Sequence, residues 1–435
     1  MAKHAGQIVS KGRYAWVVVG EKTMLEVMFT HCAGLDVHKK SVTVCVLVPG
    51  KQGKARGAFK TFGATTKALQ EMKAWLLELG VTHVAMESTG VYWKPVYNIL
   101  QAEIEVWVVN AQHIKQVPGR KTDVKDAEWI ATLMRMGLLN NSFIPDEAQR
   151  DLRDLTRYRA QLTNERSAAV NRVQKVLEDA NIKLASVVTD IQGVSARQML
   201  AALIEGEQDS EALAGLAKGR MRNKMAELNE ALSGFVRPHH RFMLAELLSH
   251  VDELNQKLAS LNERIEQETA AHEALVARLD EIPGVGQQTA QILLAEIGCT
   301  VEQFPTAKHL ASWACLCPGN NISANKRRSG KTRKGQKWLR TALSEAAWAA
   351  SRTKDTYLGA QFHRLRARRG AKRAAIAVAH SILQIVYHLM KDPTATFQEL
   401  GGDYFVKRNK GDQRRRAVKT LTTLGFAVEL TPIAG

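Results

Sequence analysis

Four acidic residues, each beside an apolar segment, are the constellation in this sequence best suited to chemistry. Asp36 lies in AGLDVHKK, Glu87 in VAMESTG, and Asp123 and Asp126 in KTDVKDAEW. A spacing of three places Asp123 and Asp126 on one face of a helix. Converging carboxylates repel each other unless cations neutralise them, and hard oxygen ligands bind Mg²⁺ or Mn²⁺. The set predicts a catalytic metal site, in which two ions about 4 Å apart act on a phosphodiester.

Each of these residues alone also has a plain structural interpretation. Asp36 could cap a turn, Glu87 could pair with a lysine, and Asp126 could be a surface charge. Their order along the chain, on alternating strands and helices, favours the catalytic interpretation.

A second constellation is the segment LCPGNNISANKRRSGKTRKGQKWLR, which places Ser323 and Ser329 among glycines and cations. A serine hydroxyl is a poor nucleophile unless a base or a metal activates it. Cations around it would hold a phosphate and stabilise the charge of the transition state. Composition alone leaves a second interpretation open, in which both serines only make hydrogen bonds in turns.

The charge of the chain is concentrated around these serines. The whole sequence has a net charge of +18, and residues 321–373 contain sixteen Lys and Arg but two acidic residues. Such an imbalance favours a phosphate-binding surface, although a basic protein without an anionic partner stays possible. The cations predicted to contact nucleic acid are Lys326, Arg327, Arg328, Lys331, Arg333, Lys334 and Arg340.

The elements that must position the carboxylates alternate in type over residues 31–144. Short apolar runs and helical spacings follow one another in the order βββαβαβα, which predicts an α/β domain with a mixed sheet. The first helix is expected to end at Gly80. Residues 1–30 form a loosely specified extension.

Residues 145–278 change to long charged helices. One of them carries a heptad seam of apolar residues, namely Leu244, Leu247, Val251, Leu254, Leu258, Leu261 and Ile265. The seam predicts a coiled coil, as an antiparallel hairpin or an oligomer contact, or else a helical bundle within one chain.

The segment EIPGVGQQTAQILLAEIG at 281–298 introduces a mainly helical region over residues 279–395. Gly284 and Gly286 predict the tight turn of a helix-hairpin-helix, whose backbone N–H groups face a phosphate. A plain helical corner is the alternative. Residues 396–435 are a basic tail.

The five cysteines show no disulfide or zinc spacing, so we expect reduced, buried thiols. The sequence shows neither a signal-peptide pattern nor an uninterrupted run of 18 apolar residues. We therefore expect a cytoplasmic protein that does not bind a membrane.

Five ordered segments together resemble the transposases of the insertion-sequence-110 family, which are related to Piv-type DNA invertases. They are GLDVHKK, MESTGVYWKPV, QHIKQVPGRKTDVKDAEWIA, IPGVGQQTA and the serine segment. The resemblance covers roughly residues 30–395 and is closest to the subgroup with a PGNN…S loop.

The resemblance implies an RNase H-like (RuvC-like) domain with the DEDD set on Asp36, Glu87, Asp123 and Asp126, a coiled-coil linker, and a C-terminal transposase domain with a catalytic serine. In the family this serine lies five residues after the proline of a GL-x-P motif. Here the motif reads CLCP, with Cys315 in place of glycine. Counting from Pro318 selects Ser323.

This sequence departs from the family next to the serine as well. Many relatives have glycine there, whereas this chain has Ala324 and an SG pair at Ser329 and Gly330. Ser323 remains the expected nucleophile, and Ser329 is the alternative.

The resemblance also implies partners. It predicts an enzyme that cuts and rejoins donor and target DNA through a phosphoserine, guided by a structured non-coding RNA from the element. A dimer or tetramer is implied, in which the carboxylates of one protomer could meet the serine of another. The bacterial cytoplasm, with association to the nucleoid, is the implied location.

Two other functions compete with this one. A metal-dependent nuclease or transposase, in which water or a 3′-hydroxyl attacks directly, would form no protein–DNA adduct. A non-enzymatic junction- or RNA-binding protein would be insensitive to loss of Asp36 or Glu87.

Overall fold

A computed structural model describes residues 27–50, 55–88, 90–110, 126–319, 321–324, 326–332, 335–408 and 410–430, with backbone alone at 321–323, 326–329, 410, 412–413 and 416. Before residue 24 it describes the short antiparallel strand pairs β1 (Val9–Ser10) with β2 (Ala15–Trp16), and β3 (Val18–Val19) with β4 (Lys22–Thr23). The chain divides into two compact units, Met1–Ile144 and Pro145–Gly435.

A five-stranded mixed sheet forms the centre of the first unit, in the order β7-β6-β5-β8-β9. Strands β5, β8 and β9 are parallel, whereas β6 and β7 pair antiparallel at one side. The bounds are β5 Cys32–Val37, β6 Ser41–Pro49, β7 Ala55–Gly63, β8 His83–Glu87 and β9 Glu105–Val109. The predicted mixed sheet is confirmed.

Helices cover both faces of this sheet. Helices α1 (Thr66–Glu78) and α2 (Trp93–Leu100) pack on one face, and α3 (Asp126–Arg135) packs on the other. Helix α1 ends as predicted, because Gly80 adopts a φ of +68° and its N–H reaches the carbonyl of Leu77.

Helix α3 lies directly on strand β5 at Gly34. A Cβ at position 34 would lie 2.2 Å from the carbonyl oxygen of Ala127 and 2.3 Å from the nitrogen of Ala131. Only glycine allows this approach, since it has no side chain. The glycine therefore fixes how closely the helix approaches the strand.

The second unit is helical apart from one hairpin. Its first helices are α4 (Glu147–Asp179), α5 (Leu184–Val187), α6 (Val194–Glu205), α7 (Ser210–Gly215), α8 (Met225–Leu232) and α9 (Pro238–Thr269). They are followed by α10 (Glu273–Asp280), α11 (Gln287–Ile297), α12 (Ala307–Trp313), α13 (Lys337–Ala350), α14 (Tyr357–Arg369), α15 (Ala371–Lys391), α16 (Tyr404–Arg408) and α17 (Lys410–Thr423).

The long helices α4 and α9 pack against each other within the chain. Val251 and Leu254 of the predicted seam are buried against Leu162 and Ala169 of α4. Leu258 and Leu261 continue the contact in half-buried positions. The seam thus has a partner helix in its own chain.

Helix α15 is the central helix of the C-terminal core. Ten of its residues are buried, among them Val378, Ile382 and Val386. It is also long and apolar enough to cross a membrane by length and composition. Its buried face packs against α12, α13 and α14, as expected of a core helix.

All five cysteines are free thiols, but the expectation that all are buried is wrong. Cys32 and Cys45 are buried, whereas Cys299, Cys315 and Cys317 are half-buried. Burial raises the pKa of the Cys32 thiol to about 11, so this group is an inert core residue.

Candidate active site

Two of the predicted carboxylates lie at the same edge of the sheet. Strands β5 and β8 are parallel neighbours, with Gly34 opposite Ala85 and Leu35 opposite Met86. Asp36 and Glu87 each follow by one residue, so both stand at the carboxyl ends of their strands. Because side chains alternate along a strand, Asp36 and Glu87 share the face of Gly34 and Ala85.

The same face carries helix α3 and therefore Asp126. The thiol of Cys32 contacts the carbonyl of Ala131 at 3.7 Å, and Gly34 lies against Ala127 as well as Ala131. Helix α3 therefore runs along β5 in the opposite direction, and its first residue lies towards the Asp36 end of the strand. That residue is Asp126, which is exposed.

Asp36 makes an ion-pair contact with a nearby histidine. Its Oδ2 lies 3.1 Å from Nε2 of His38, and its side chain is 30% exposed. Asp123 lies outside the described residues, and so does the predicted helical turn between it and Asp126. Within the described ranges, no group of three or more His, Cys, Asp or Glu side chains is assembled to hold a metal.

The serine segment forms a β-hairpin. Strand β10 (Asn321–Ser323) pairs antiparallel with β11 (Lys326–Ser329), and a bridge between Pro318 and Thr332 closes its base. Ser323 pairs with Lys326 directly beside the two-residue turn. Ser329 pairs with Asn321, nearer to the base. The two candidate serines therefore occupy opposite ends of the hairpin.

Both departures from the family pattern fall on left-handed backbone. Cys315 has a φ of +54° and Ala324 a φ of +49°. This region disfavours residues with a Cβ and favours glycine, so glycine, which the resemblance leads us to expect, would fit both positions. Cys315 is accommodated by Gly335, where an added Cβ would lie 2.4 Å from the Cβ of Cys315.

The predicted cations are only partly within the described residues. Lys331 is exposed near the base of the hairpin, and Arg340 donates from Nη2 to the hydroxyl of Thr332 at 2.9 Å. For Lys326, Arg327 and Arg328 the structure gives the backbone strand alone. Arg333 and Lys334 lie outside the described residues.

The PGVG turn joins α10 to α11, and its two glycines differ in surroundings. Gly284 has a φ of +88°, and a Cβ there would lie 2.2 Å from the carbonyl of Ala346 in α13. Gly286 is exposed and is the N-cap residue of α11. Gly284 therefore has a packing role, and Gly286 is the glycine whose backbone is open to a phosphate.

A second basic surface lies at the corner between α14 and α15. Its exposed cations are Arg366, Arg368, Arg369, Lys372 and Arg373. None of these five makes a hydrogen bond or ion pair with a side chain of the described residues. No acidic residue occurs between positions 356 and 391. The corner, which we call the basic corner, is thus an uncompensated positive surface.

Sequence reasoning missed a buried ionic network behind the hairpin. Glu296 is fully buried and accepts hydrogen bonds from Arg157 and Gln336. An acidic residue within the apolar run ILLAEIG was the available signal, because a charge there needs a buried partner. A separate signal was Gly34, because a glycine in the middle of a strand indicates that another backbone approaches closely.

Comparisons with known proteins agree with this arrangement. The model for DEDD transposases of the IS110 type, described as "Transposase", matches residues 33–182. A second model, "Transposase IS116/IS110/IS902 family", matches residues 276–364. The first match includes Asp36, Glu87 and Asp126, whose part of the sheet edge we call the carboxylate edge. The second match includes the serine hairpin.

Two relatives extend the comparison over most of the chain. The transposase for insertion sequence element IS1111A of Coxiella burnetii is 25% identical over 292 residues, which is 66% of this chain and 71% of the relative. The insertion element IS110 uncharacterized 43.6 kDa protein of Streptomyces coelicolor is 27% identical over 312 residues, which is 64% of this chain and 72% of the relative.

The two family models and the transposase of Coxiella burnetii show that this chain is a transposase, an enzyme that cleaves DNA strands and transfers them. The chain belongs to the IS110 family of transposases.

Proposed function

We propose that this transposase cuts DNA through Ser323 and reseals it, with help from a divalent cation at the carboxylate edge and guidance by a structured RNA. The observation that carries the proposal is the position of Ser323 beside the turn of a hairpin. That position presents the residue at the end of the hairpin, while Ser329 lies nearer the base.

The carboxylate edge suits Mg²⁺ or Mn²⁺ by its donors. Asp36 and Glu87 stand at adjacent strand ends, and Asp126 begins the helix on the same face. All three are hard oxygen donors of the kind that these ions prefer. Asp123 would supply the fourth. When bound, the cation supplies Lewis-acid activation of oxygen at phosphorus.

The reaction itself conserves the phosphodiester energy. The Oγ of Ser323 attacks phosphorus, the bond to the DNA 3′-oxygen breaks, and the serine proton ends on that 3′-hydroxyl. A 3′-hydroxyl of the second duplex then attacks the phosphoserine and returns the serine hydroxyl. The cations predicted at the hairpin hold backbone phosphates during both steps.

The remaining parts of the proposal rest on the family resemblance. The segments are 1–30, a RuvC-like domain at 31–144, a coiled-coil region at 145–278, a transposase domain with a helix-hairpin-helix at 279–395 and a basic tail at 396–435. RNA and DNA would be held through backbone and shape. A dimer or tetramer in the bacterial cytoplasm, associated with the nucleoid, is the proposed assembly.

An adduct-trapping experiment tests the proposal. Purified protein, Mg²⁺, labelled donor DNA and the RNA encoded beside the element are combined, and covalent protein–DNA species are resolved on a denaturing gel. We expect an adduct that is lost in Ser323→Ala and kept in Ser329→Ala. Nucleic-acid binding should survive both substitutions.

Two outcomes would contradict the serine assignment. An adduct lost only in Ser329→Ala would move the nucleophile to the base of the hairpin. Cleaved DNA without any adduct, at time points short enough to precede resealing, would support direct attack by water or a 3′-hydroxyl instead.

A further inference from the structure

The fully buried carboxylate of Glu296 joins three elements of the second unit. It belongs to the last turn of α11 and is 0% exposed. Arg157 of α4 binds it in a bidentate manner, from Nε to Oε1 at 2.7 Å and from Nη2 to Oε2 at 2.9 Å. The side-chain amide of Gln336 donates to Oε2. Both carboxylate oxygens are therefore used.

Helix α4 also holds the end of α11 through its backbone. Arg153, one turn before Arg157, donates from Nε to the carbonyl of Ala295 at 2.8 Å and from Nη2 to that of Glu296 at 2.5 Å. Carbonyls in the last turn of a helix lack partners within the helix, so the arginine satisfies them. Burial lowers the pKa of Arg153 to about 10, and the Glu296 carboxylate opposes that fall. The end of α11 is thus fixed to the long helix.

Gln336 connects this network to the serine hairpin. It is the N-cap residue of α13 and lies four positions after Thr332, which closes the hairpin by its bridge to Pro318. Arg340 in the first turn of α13 binds the Thr332 hydroxyl. Arg340 therefore anchors the carboxyl-terminal end of the hairpin to α13, and Gln336, which precedes the first residue of that helix, binds the same helix end to Glu296.

The amide of Gln336 is held at a cost to stability. Its Oε1 is buried without a hydrogen-bond partner among the described residues, and a buried unpaired acceptor destabilises the folded state. Rotating the amide would put Oε1 against the Glu296 carboxylate, so the donor must face Glu296.

We infer that Glu296, acting through Gln336, is a positioning residue that sets the register of the serine hairpin relative to helix α4. The inference rests on the proposed function of Ser323. It adds that helix α4 influences the position of Ser323 through Glu296 and Gln336. The residues that make the connection lie 139 and 40 positions from Glu296 in the sequence.

The substitution Gln336→Met separates positioning from stability. Methionine keeps the length of the side chain, loses the donor to Glu296 and removes the unpaired oxygen. We expect a melting temperature close to that of the wild type, because the lost donor and the removed unpaired oxygen offset each other. We also expect an unchanged Kd for DNA, and a single-turnover rate of adduct formation lower by about 10- to 100-fold, as for small displacements of a reacting group. Gln361→Met is the matched control, because Gln361 also has a buried Oε1 without a hydrogen-bond partner among the described residues but binds Ser381 rather than Glu296, and its rate at saturating DNA should stay that of the wild type.

Hydrogen–deuterium exchange gives a readout that does not depend on the chemistry. In Gln336→Met the amides of residues 319–332 should exchange faster, while those of α11 and α13 keep their protection. A rate and melting temperature that fall together would overturn the positioning role, and so would wild-type rate and exchange. If the wild-type protein forms no adduct, the proposed function fails, and the exchange result still decides whether Glu296 holds the hairpin.

Discussion

At the scale of single residues, the acidic residues and the two positions with left-handed backbone show which features can be predicted from the sequence. Asp36, Glu87 and Asp126 were predicted from their neighbours. The structure has the first two at the ends of adjacent strands and the third at the start of the helix that packs on the same face, without an assembled metal site among the described residues. The predicted set is only partly testable by geometry, because Asp123 lies outside the described residues. Glu296 was not predicted, because its partners are distant in sequence and the pattern of one helix does not show them.

The carboxylates should be essential for cleavage but not for folding. We expect Asp36→Asn and Glu87→Gln each to lower the cleavage rate by about 100-fold or more, since loss of a metal ligand removes several kcal/mol of transition-state stabilisation. Glu71→Gln, an exposed change on helix α1 over the opposite face, is the control. Wild-type cleavage by Asp36→Asn, at an unchanged melting temperature, would show that Asp36 is not part of the cleavage site.

Ala324 should be less stable than glycine at the same position. Its φ of +49° costs a residue with a Cβ about 1–2 kcal/mol, which exceeds the conformational entropy that glycine loses on folding. We expect Ala324→Gly to raise the free energy of unfolding by up to about 1 kcal/mol. The matched change Ala349→Gly, in the exposed part of helix α13, should lower it by about 1 kcal/mol. Denaturant titration measures both, and equal signs would contradict the argument.

At the scale of elements, alternating and helical periodicities were sufficient for the first unit. Strands β5 to β9 and helix α1 have the predicted type and order, because one face of each is buried in a single core. The register of α3 on β5 was not predictable, since it depends on contact between Gly34 and two backbone atoms of another element. The helix-hairpin-helix stays a prediction, although Gly284 is now explained by packing.

Gly34→Ala should displace α3 from the sheet. The new Cβ would lie 2.2 Å from a carbonyl oxygen, and such overpacking costs about 1–3 kcal/mol or more. Because α3 carries Asp126, cleavage should fall with stability. Gly57→Ala is the control, since its nearest neighbour would be a side-chain atom at 3.7 Å. Calorimetry that shows equal melting temperatures for the two variants would refute the close approach.

At the scale of the whole molecule, charge is segregated rather than mixed. The basic corner between α14 and α15 has no acidic neighbour in sequence from position 356 to 391. Composition predicted the excess, but the division into a serine hairpin and a separate corner needed the structure. Phosphate contacts at such a surface release counterions and make the affinity depend on salt.

The basic corner should contribute to DNA affinity through phosphate contacts, whose contribution decreases as the salt concentration rises. We expect the triple variant Arg366→Gln, Arg368→Gln, Arg369→Gln to reduce the slope of log K against log salt by up to about 3, at about 0.9 for each phosphate that is no longer neutralised. The control variant Arg172→Gln, Lys175→Gln, Lys257→Gln removes three exposed charges from the long helices. Filter binding between 50 and 200 mM salt, roughly the range in which such phosphate contacts matter, measures the slopes. Equal slopes for the two triples would show that the corner is not a contact surface.

The same corner adjoins the apolar helix Ala371–Lys391, and this order has a consequence for the synthesis of the protein. A positively charged stretch followed by an apolar helix of this length is the arrangement that membrane-insertion machinery recognises and orients. In the folded chain, α12, α13 and α14 cover that helix. A fragment that begins after α13 would leave much of it uncovered, and we expect such a fragment to sediment with membranes. We therefore expect that folding of the earlier helices onto this one keeps it out of the membrane.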